Sequence, residues 1–198
     1  MNSSVNINCQ NLLIIITGLP ASGKSTLAAW LGQQLSIPVL SKDAIREILF
    51  DELGWSDRAW ASKLGVATIQ LMFHFATSQL NANGAVIMDN LFAPDVSTPQ
   101  FNHLQEKTDA KIIQIVCQAS FQTCFRRFEH RAIHENRHPG HGDTAVIQKW
   151  RKDPLENKSL AMPLKGDLIL VNTETFANVN YQSILNQILE LTLKNTGD

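Results

Sequence analysis

Residues 18 to 26 read Gly18-Leu19-Pro20-Ala21-Ser22-Gly23-Lys24-Ser25-Thr26, the pattern G-x-x-x-x-G-K-[ST], whose chemistry is the capture of phosphate groups. Glycines let backbone N–H groups wrap around phosphate oxygens, the lysine reaches the terminal phosphates, and the next hydroxyl ligates Mg²⁺. The motif therefore assigns Gly18, Ala21, Ser22, Gly23, Lys24, Ser25 and Thr26 to a nucleoside triphosphate, with Ser25 also at the metal.

Two acids could complete such a site. Asp43 stands in Ser41-Lys42-Asp43-Ala44-Ile45-Arg46, just after a short apolar run. A carboxylate beyond the terminal phosphate can take the proton of a substrate hydroxyl during in-line transfer, and Arg46, one turn on, can reach the transferred group or the substrate. The same position also suits a helix cap. Asp89 ends the run Ala85-Val86-Ile87-Met88, a place from which an acid holds Mg²⁺ directly or through water. Its other reading is a turn residue beside Asn90.

Basic residues cluster later. Arg126, Arg127 and Arg131 fall on a predicted helix over 121–133, where Arg127 and Arg131, four apart, share a face. Phosphoryl transfer spreads charge over the equatorial oxygens, and arginines brought in by a lid neutralise it; an exposed basic face is the alternative. Arg137 is a lesser candidate of the same kind. His130, His134 and His138 follow i, i+4, i+8 spacing with His141 beyond, yet Pro139-Gly140 interrupts the helix and nothing completes a zinc set. Contacts to substrate or solvent are expected of them. Trp55 and Trp60 are expected in the core, with a substrate pocket as the alternative.

The elements that must position these residues alternate. Leu12-Leu13-Ile14-Ile15-Ile16-Thr17 is a continuous apolar, β-rich run of the kind found in buried parallel strands. A helix over 23–35 follows, its N-terminal dipole aimed at the anion. Strands are predicted at 37–41, 85–89, 111–117 and 167–171, and helices at 43–53, 55–81 and 179–193. The helix over 55–81 shows Trp60, Leu64, Ala67, Leu71, Phe75 and Leu80 on one recurring face. This order implies an α/β fold with ligands at the carboxyl ends of the strands. Residues 126–153, broken by His138-Pro139-Gly140-His141-Gly142, read as a mobile lid between short helices.

Composition sets limits. At 198 residues, with 44% hydrophobic and 18% charged, the chain fits one globular domain over 1–198. Seventeen basic against 18 acidic residues leave a net charge of −1, with no global footprint for long nucleic acid. Cys9, Cys117 and Cys124 are odd in number and not spaced as metal pairs, which points to reduced thiols in a cytoplasmic compartment. The first apolar run is too short for a signal or membrane segment.

On the loop at residues 18–26, the Asp-x-x-Arg at Asp43 and Arg46, the strand acid Asp89, and the Arg-x-x-x-Arg at Arg127 and Arg131, the chain resembles a group of P-loop kinases. The group gathers around polynucleotide kinase, the zeta toxin and chloramphenicol phosphotransferase, and includes AAA-type ATP-binding proteins. The resemblance covers nearly the whole chain. It implies a P-loop NTPase three-layer sandwich with a five-stranded, mostly parallel sheet and a helical lid. It implies Mg²⁺ and ATP as cofactors and transfer of the γ-phosphate to a hydroxyl. In the polynucleotide kinase branch Asp43 looks like the general base with Arg46 on the substrate side, Asp89 the Walker B acid, and Arg127 and Arg131 the lid arginines. The acceptor stays open. A small-molecule hydroxyl leads; a 5′-hydroxyl polynucleotide, a zeta-like toxin target and an ATP-hydrolysing switch are the alternatives. The guanine-reading Asn-Lys-x-Asp pattern and the added helical domain of a ring-forming ATPase are both absent, which counts against the switch.

Overall fold

The computed structural model describes residues 10–135, 137–154 and 159–193; Cys9 lies outside them. Leu12–Gly18 forms β1, and all seven of its residues are buried, as a run without polar alternation requires. β2 (Val39–Ser41), β3 (Ala85–Asp89), β4 (Lys111–Gln118) and β5 (Asp167–Asn172) join it in a wholly parallel sheet ordered β2-β3-β1-β4-β5. The connections are helical: α1 (Lys24–Leu35), α2 (Lys42–Leu53), α3 (Arg58–Asn81), α4 (Pro94–Thr108), α5 (Phe121–His134), α6 (Asp143–Lys152) and α7 (Tyr181–Leu193).

Strand side chains alternate between faces, so each strand feeds two cores. Leu12, Ile14, Ile16, Ile87, Ile113 and Ile115 meet Leu27 and Leu31 of α1 and Ile184 and Ile188 of α7. Leu13, Ile15, Val86, Met88 and Ile112 meet Met72, Ala76 and Leu80 of α3 and Phe101 and Leu104 of α4. Each fully buried aliphatic side chain contributes about 1.5–3 kcal/mol. The result is a three-layer sandwich. A third, smaller cluster of Phe121, Phe128 and Trp150 joins α5 to α6 and touches Leu19 and Ala21 of the phosphate loop.

Three elements depart from the sequence expectations. The buried row of α3 is Leu64, Thr68, Met72, Ala76 and Leu80, while Ala67 and Phe75 are exposed. A threonine can occupy the buried row because its hydroxyl donates to Leu64 O of its own helix at 2.7 Å. No helix is predicted over residues 94–108, yet α4 forms there with Pro99 inside it. Proline removes a backbone donor, but burial of Phe101 and Leu104 outweighs that loss. Trp55 is 50% exposed rather than in the core. No helix among the described residues is long and apolar enough to cross a membrane.

Candidate active site

Strand register brings the candidates to one edge. Asp89 pairs with Ile16 on one side and with Ser41 on the other, and Gly18 pairs with Cys117 of β4. The phosphate loop, Asp89 and the start of α2 therefore end at nearly the same height. β3 lies between β1 and β2, so Asp89 adjoins the phosphate loop. Asp43 starts from one strand farther out, two strand spacings or about 10 Å from β1.

Residues 19–23 turn tightly, with Ser22 N–H donating to Leu19 O at 3.0 Å. Gly23 has φ of 89°, and a Cβ there would come within 2.7 Å of the Phe176 ring. Glycine is required on both counts. α1 begins at Lys24 with no side-chain cap on Gly23 and no acid in its first turn. Elsewhere Asp57 caps α3 and Ser120 caps α5, while α2, α4 and α6 carry Asp43, Asp95 and Asp143 in their first turns. Among these six helices of the described residues, α1 alone leaves its N-terminal donors and dipole uncompensated, which is what an anion needs. Ser22 Oγ is buried without a hydrogen-bond partner in the same loop.

Lys24 Nζ donates to Leu19 O at 3.4 Å. Burial pushes its ammonium below the usual lysine range, while the charges of Asp89 and Asp43 pull it back. Asp89 is the converse. It is 2% exposed, and burial pushes its carboxyl up against the opposing effects of Lys24 and the hydroxyls of Ser25 and Ser41. Ser41 Oγ donates to Asp89 Oδ2 at 3.2 Å; Oδ1 is buried with no partner. An orphaned carboxylate oxygen beside the Ser25 hydroxyl is a hard-oxygen set of the kind Mg²⁺ takes, with phosphates and water filling the remaining positions. No group of three or more His, Cys, Asp or Glu side chains fit to hold a metal occurs among the described residues, histidines included.

Asp43 is exposed and paired with Arg137, its Oδ2 accepting from Nη2 at 3.0 Å. Arg46 donates from Nη2 to Ala61 O at 3.2 Å, lies 4.9 Å over the Phe50 ring, and keeps a buried, unpartnered Nε. It lines two hollows. One, of about 410 Å³, opens between α2, the start of α3 and residues 139–149, with Trp55, Arg58, Ser62 and Lys149 in its wall. The other, of about 520 Å³, runs toward α4 past Lys42 and Asn90.

Both arginines of α5 line the phosphate-loop hollow, but their partners differ. Arg131 lines the phosphate-loop hollow of about 360 Å³ with Lys24, Ser25 and Thr26. Burial lowers its basicity, and Nε has no partner. Arg127 turns to the loop after β5, donating to Thr173 O at 2.9 Å and Glu174 O at 3.0 Å, and its guanidinium stacks 3.6 Å over Phe176. Glu174 ties that loop to α5 by accepting from Ser120 N–H, Ser120 Oγ and Thr123 Oγ1, which holds its carboxyl down at about 2. Arg126 donates to Thr123 Oγ1 at 3.3 Å. Phe176 and Glu174 belong to no motif; only the pairing of β4 with β5 brings them to the loop.

His138 and His141 face acids on α2, Asp51 at 3.3 Å and Glu47 at 2.6 Å. His130 and His134 stack on each other at 4.4 Å. Cys117, beneath the phosphate loop, is pushed up to about 12 by burial, and Cys124 is also raised by burial; neither forms a disulfide among the described residues.

Residues 13–153 match a protein family described as an AAA domain. A structure described as a "putative kinase" from Chloroflexus aurantiacus is 33% identical with a TM-score of 0.83, over 92% of this chain and 98% of that one. Two more distant structures share the fold. Mycobacterium tuberculosis APS kinase, in complex with AMPPNP and APS, has 18% identity and a TM-score of 0.56, over 92% of this chain and 97% of that one. Chaetomium thermophilum Kti12, in complex with ADP-AlF3, has 17% identity and a TM-score of 0.57, over 91% and 98%. No curated protein matches the sequence.

Proposed function

The chain belongs to this AAA-domain family and has the P-loop kinase fold, and from that premise we propose that it transfers the γ-phosphate of ATP to a hydroxyl of a small molecule. The observation that carries the reading is the order of groups along one sheet edge: the uncompensated N-terminus of α1, then the buried Asp89, then the exposed Asp43. Phosphates sit on the loop against Lys24, and Arg131 reaches the transferred group from α5. Ser25 and Asp89 would hold Mg²⁺, which when bound offsets the charge of the phosphates. The acceptor oxygen bonds to the γ-phosphorus as the bond to the β-phosphate oxygen breaks, and Asp43 takes the hydroxyl proton. Arg127 and Phe176 stack at the nucleoside end. Residues 126–153 act as the lid.

A hollow of about 410 Å³ suits a small acceptor. Arg46, Arg58 and Lys149 outnumber Asp57 in its wall, which favours an acceptor that carries an anionic group. A panel of such alcohols with labelled ATP tests the reading, with a 5′-hydroxyl oligonucleotide as the competing acceptor. Asp43→Asn is expected to lower transfer about 100- to 10,000-fold, to a residual rate, while ATP binding stays nearly intact; undiminished transfer by that variant would remove Asp43 as the base.

A further inference from the structure

α2 carries a row of acids, Asp43, Glu47 and Asp51, at i, i+4 and i+8 and hence on one face. Left alone the row repels itself. The segment from Arg137 to His141 supplies one partner to each: Arg137 to Asp43 at 3.0 Å, His141 to Glu47 at 2.6 Å and His138 to Asp51 at 3.3 Å. Its backbone lies flat on the helix because Gly140 leaves room for Phe50, whose ring a Cβ would approach to 2.7 Å. The His138 ring stacks on the same phenylalanine at 5.1 Å and 17°. A stretch that reads as a mobile loop is thus seated on the acid face of α2.

Arg137 is the centre of this seat. Its side chain is 15% exposed, and Nη1 donates to both oxygens of Asp143, at 2.9 and 2.8 Å. The guanidinium is fixed from α6 through Nη1, and its Nη2 donates to Asp43 Oδ2. Oδ1 of Asp43 makes no hydrogen bond among the described residues, and the side chain is 52% exposed. One oxygen is held; the other is open to an incoming hydroxyl.

On the kinase reading above, we infer that Arg137 is the positioning residue for Asp43, that Asp143 acts through Arg137, and that seating of residues 137–141 on the acid row of α2 aims the base. Seating and base orientation then form one event. Misplacement of a reacting group by about 1 Å costs on the order of 100-fold in rate.

The test compares Arg137→Met, Arg137→Lys, Asp143→Asn and Asp43→Asn/Arg137→Met with the parent. Transfer to the acceptor found in the panel is measured, or hydrolysis of ATP by water where no acceptor turns over, together with ATP affinity and amide exchange of residues 138–142. Arg137→Met should lose about 10- to 100-fold in kcat with ATP affinity and acceptor KM within about threefold. Arg137→Lys should recover part of the loss. Asp143→Asn should lose less than Arg137→Met while speeding exchange in 138–142, and the double variant should be no slower than Asp43→Asn alone. An unchanged or raised kcat in Arg137→Met overturns the inference and makes the pair a mask on the base, and so does a full additional loss in the double variant. If Asp43→Asn itself has no effect, the base assignment fails instead, a result that none of the Arg137 outcomes imitates.

Discussion

The sheet and the α5–α6 region are held by different physics. Around β1 every strand residue is buried and, apart from Thr17 Oγ1, which accepts from Phe92 N–H, the side-chain contacts are apolar, so cohesion comes largely from area removed from water, with no preferred partner chemistry. The α5–α6 region rests on three buried aromatics and is otherwise tied at its two ends by polar groups. At one end Arg127 donates to the loop after β5, and Glu174 of that loop accepts from Ser120 at the start of α5; at the other Arg137, His138 and His141 bond α2. Directional bonds can be exchanged for others of equal strength, whereas a filled core resists rearrangement. The contrast suits a rigid half that presents the phosphate loop and a second half whose seating carries information about what is bound.

Substitutions can break or sharpen this contrast. Ile14→Ala, at the centre of the sheet, should cost about 2–5 kcal/mol in a denaturant melt, with activity of the remaining folded protein preserved. Phe176→Ala should barely move the melt yet weaken ATP binding about tenfold by calorimetry, since it removes the surface under Arg127. A melt shift as large as that of Ile14→Ala would show that the polar tie is structural after all.

Asp89 belongs to the rigid half but carries charge there. Its carboxyl is pushed up by burial, so the folded state binds the proton more tightly than the unfolded one. This group's contribution to stability is greatest below the ordinary carboxylate range and declines as pH rises through the elevated value. Asp89→Asn is therefore expected to raise Tm at pH 7–8 by a few degrees, roughly 1 kcal/mol, while abolishing transfer. A lowered Tm would mean that the charge itself holds the fold. The smallest effect is expected at Arg151, 65% exposed in its pair with Glu129: Arg151→Ala should change stability by less than about 0.5 kcal/mol.

Much of the rigid half was legible beforehand. The run from Leu12 to Thr17 has the pattern of a buried parallel strand, and the G-x-x-x-x-G-K-S spacing carries its ligand chemistry in the backbone, where neighbours far in sequence matter little. α4 was hidden because its stability resides in the contacts of Phe101 and Leu104, which no local propensity reports beside Pro99. The buried row of α3 was misplaced because Thr68 satisfies its own hydroxyl within the helix and so behaves as an apolar residue.

By itself the sequence determined the triphosphate loop, the parallel α/β plan and the candidate acids, since each depends on residues close together in the chain. Only the tertiary structure decided that β3 separates the loop from β2, that Arg127 stacks on Phe176 and bonds the loop after β5, and that Arg137 rests on Asp43. Those outcomes depend on strand order and on ion pairs between residues as many as 94 positions apart, distances over which local pattern carries no energy term and only the folded chain brings the charges into reach.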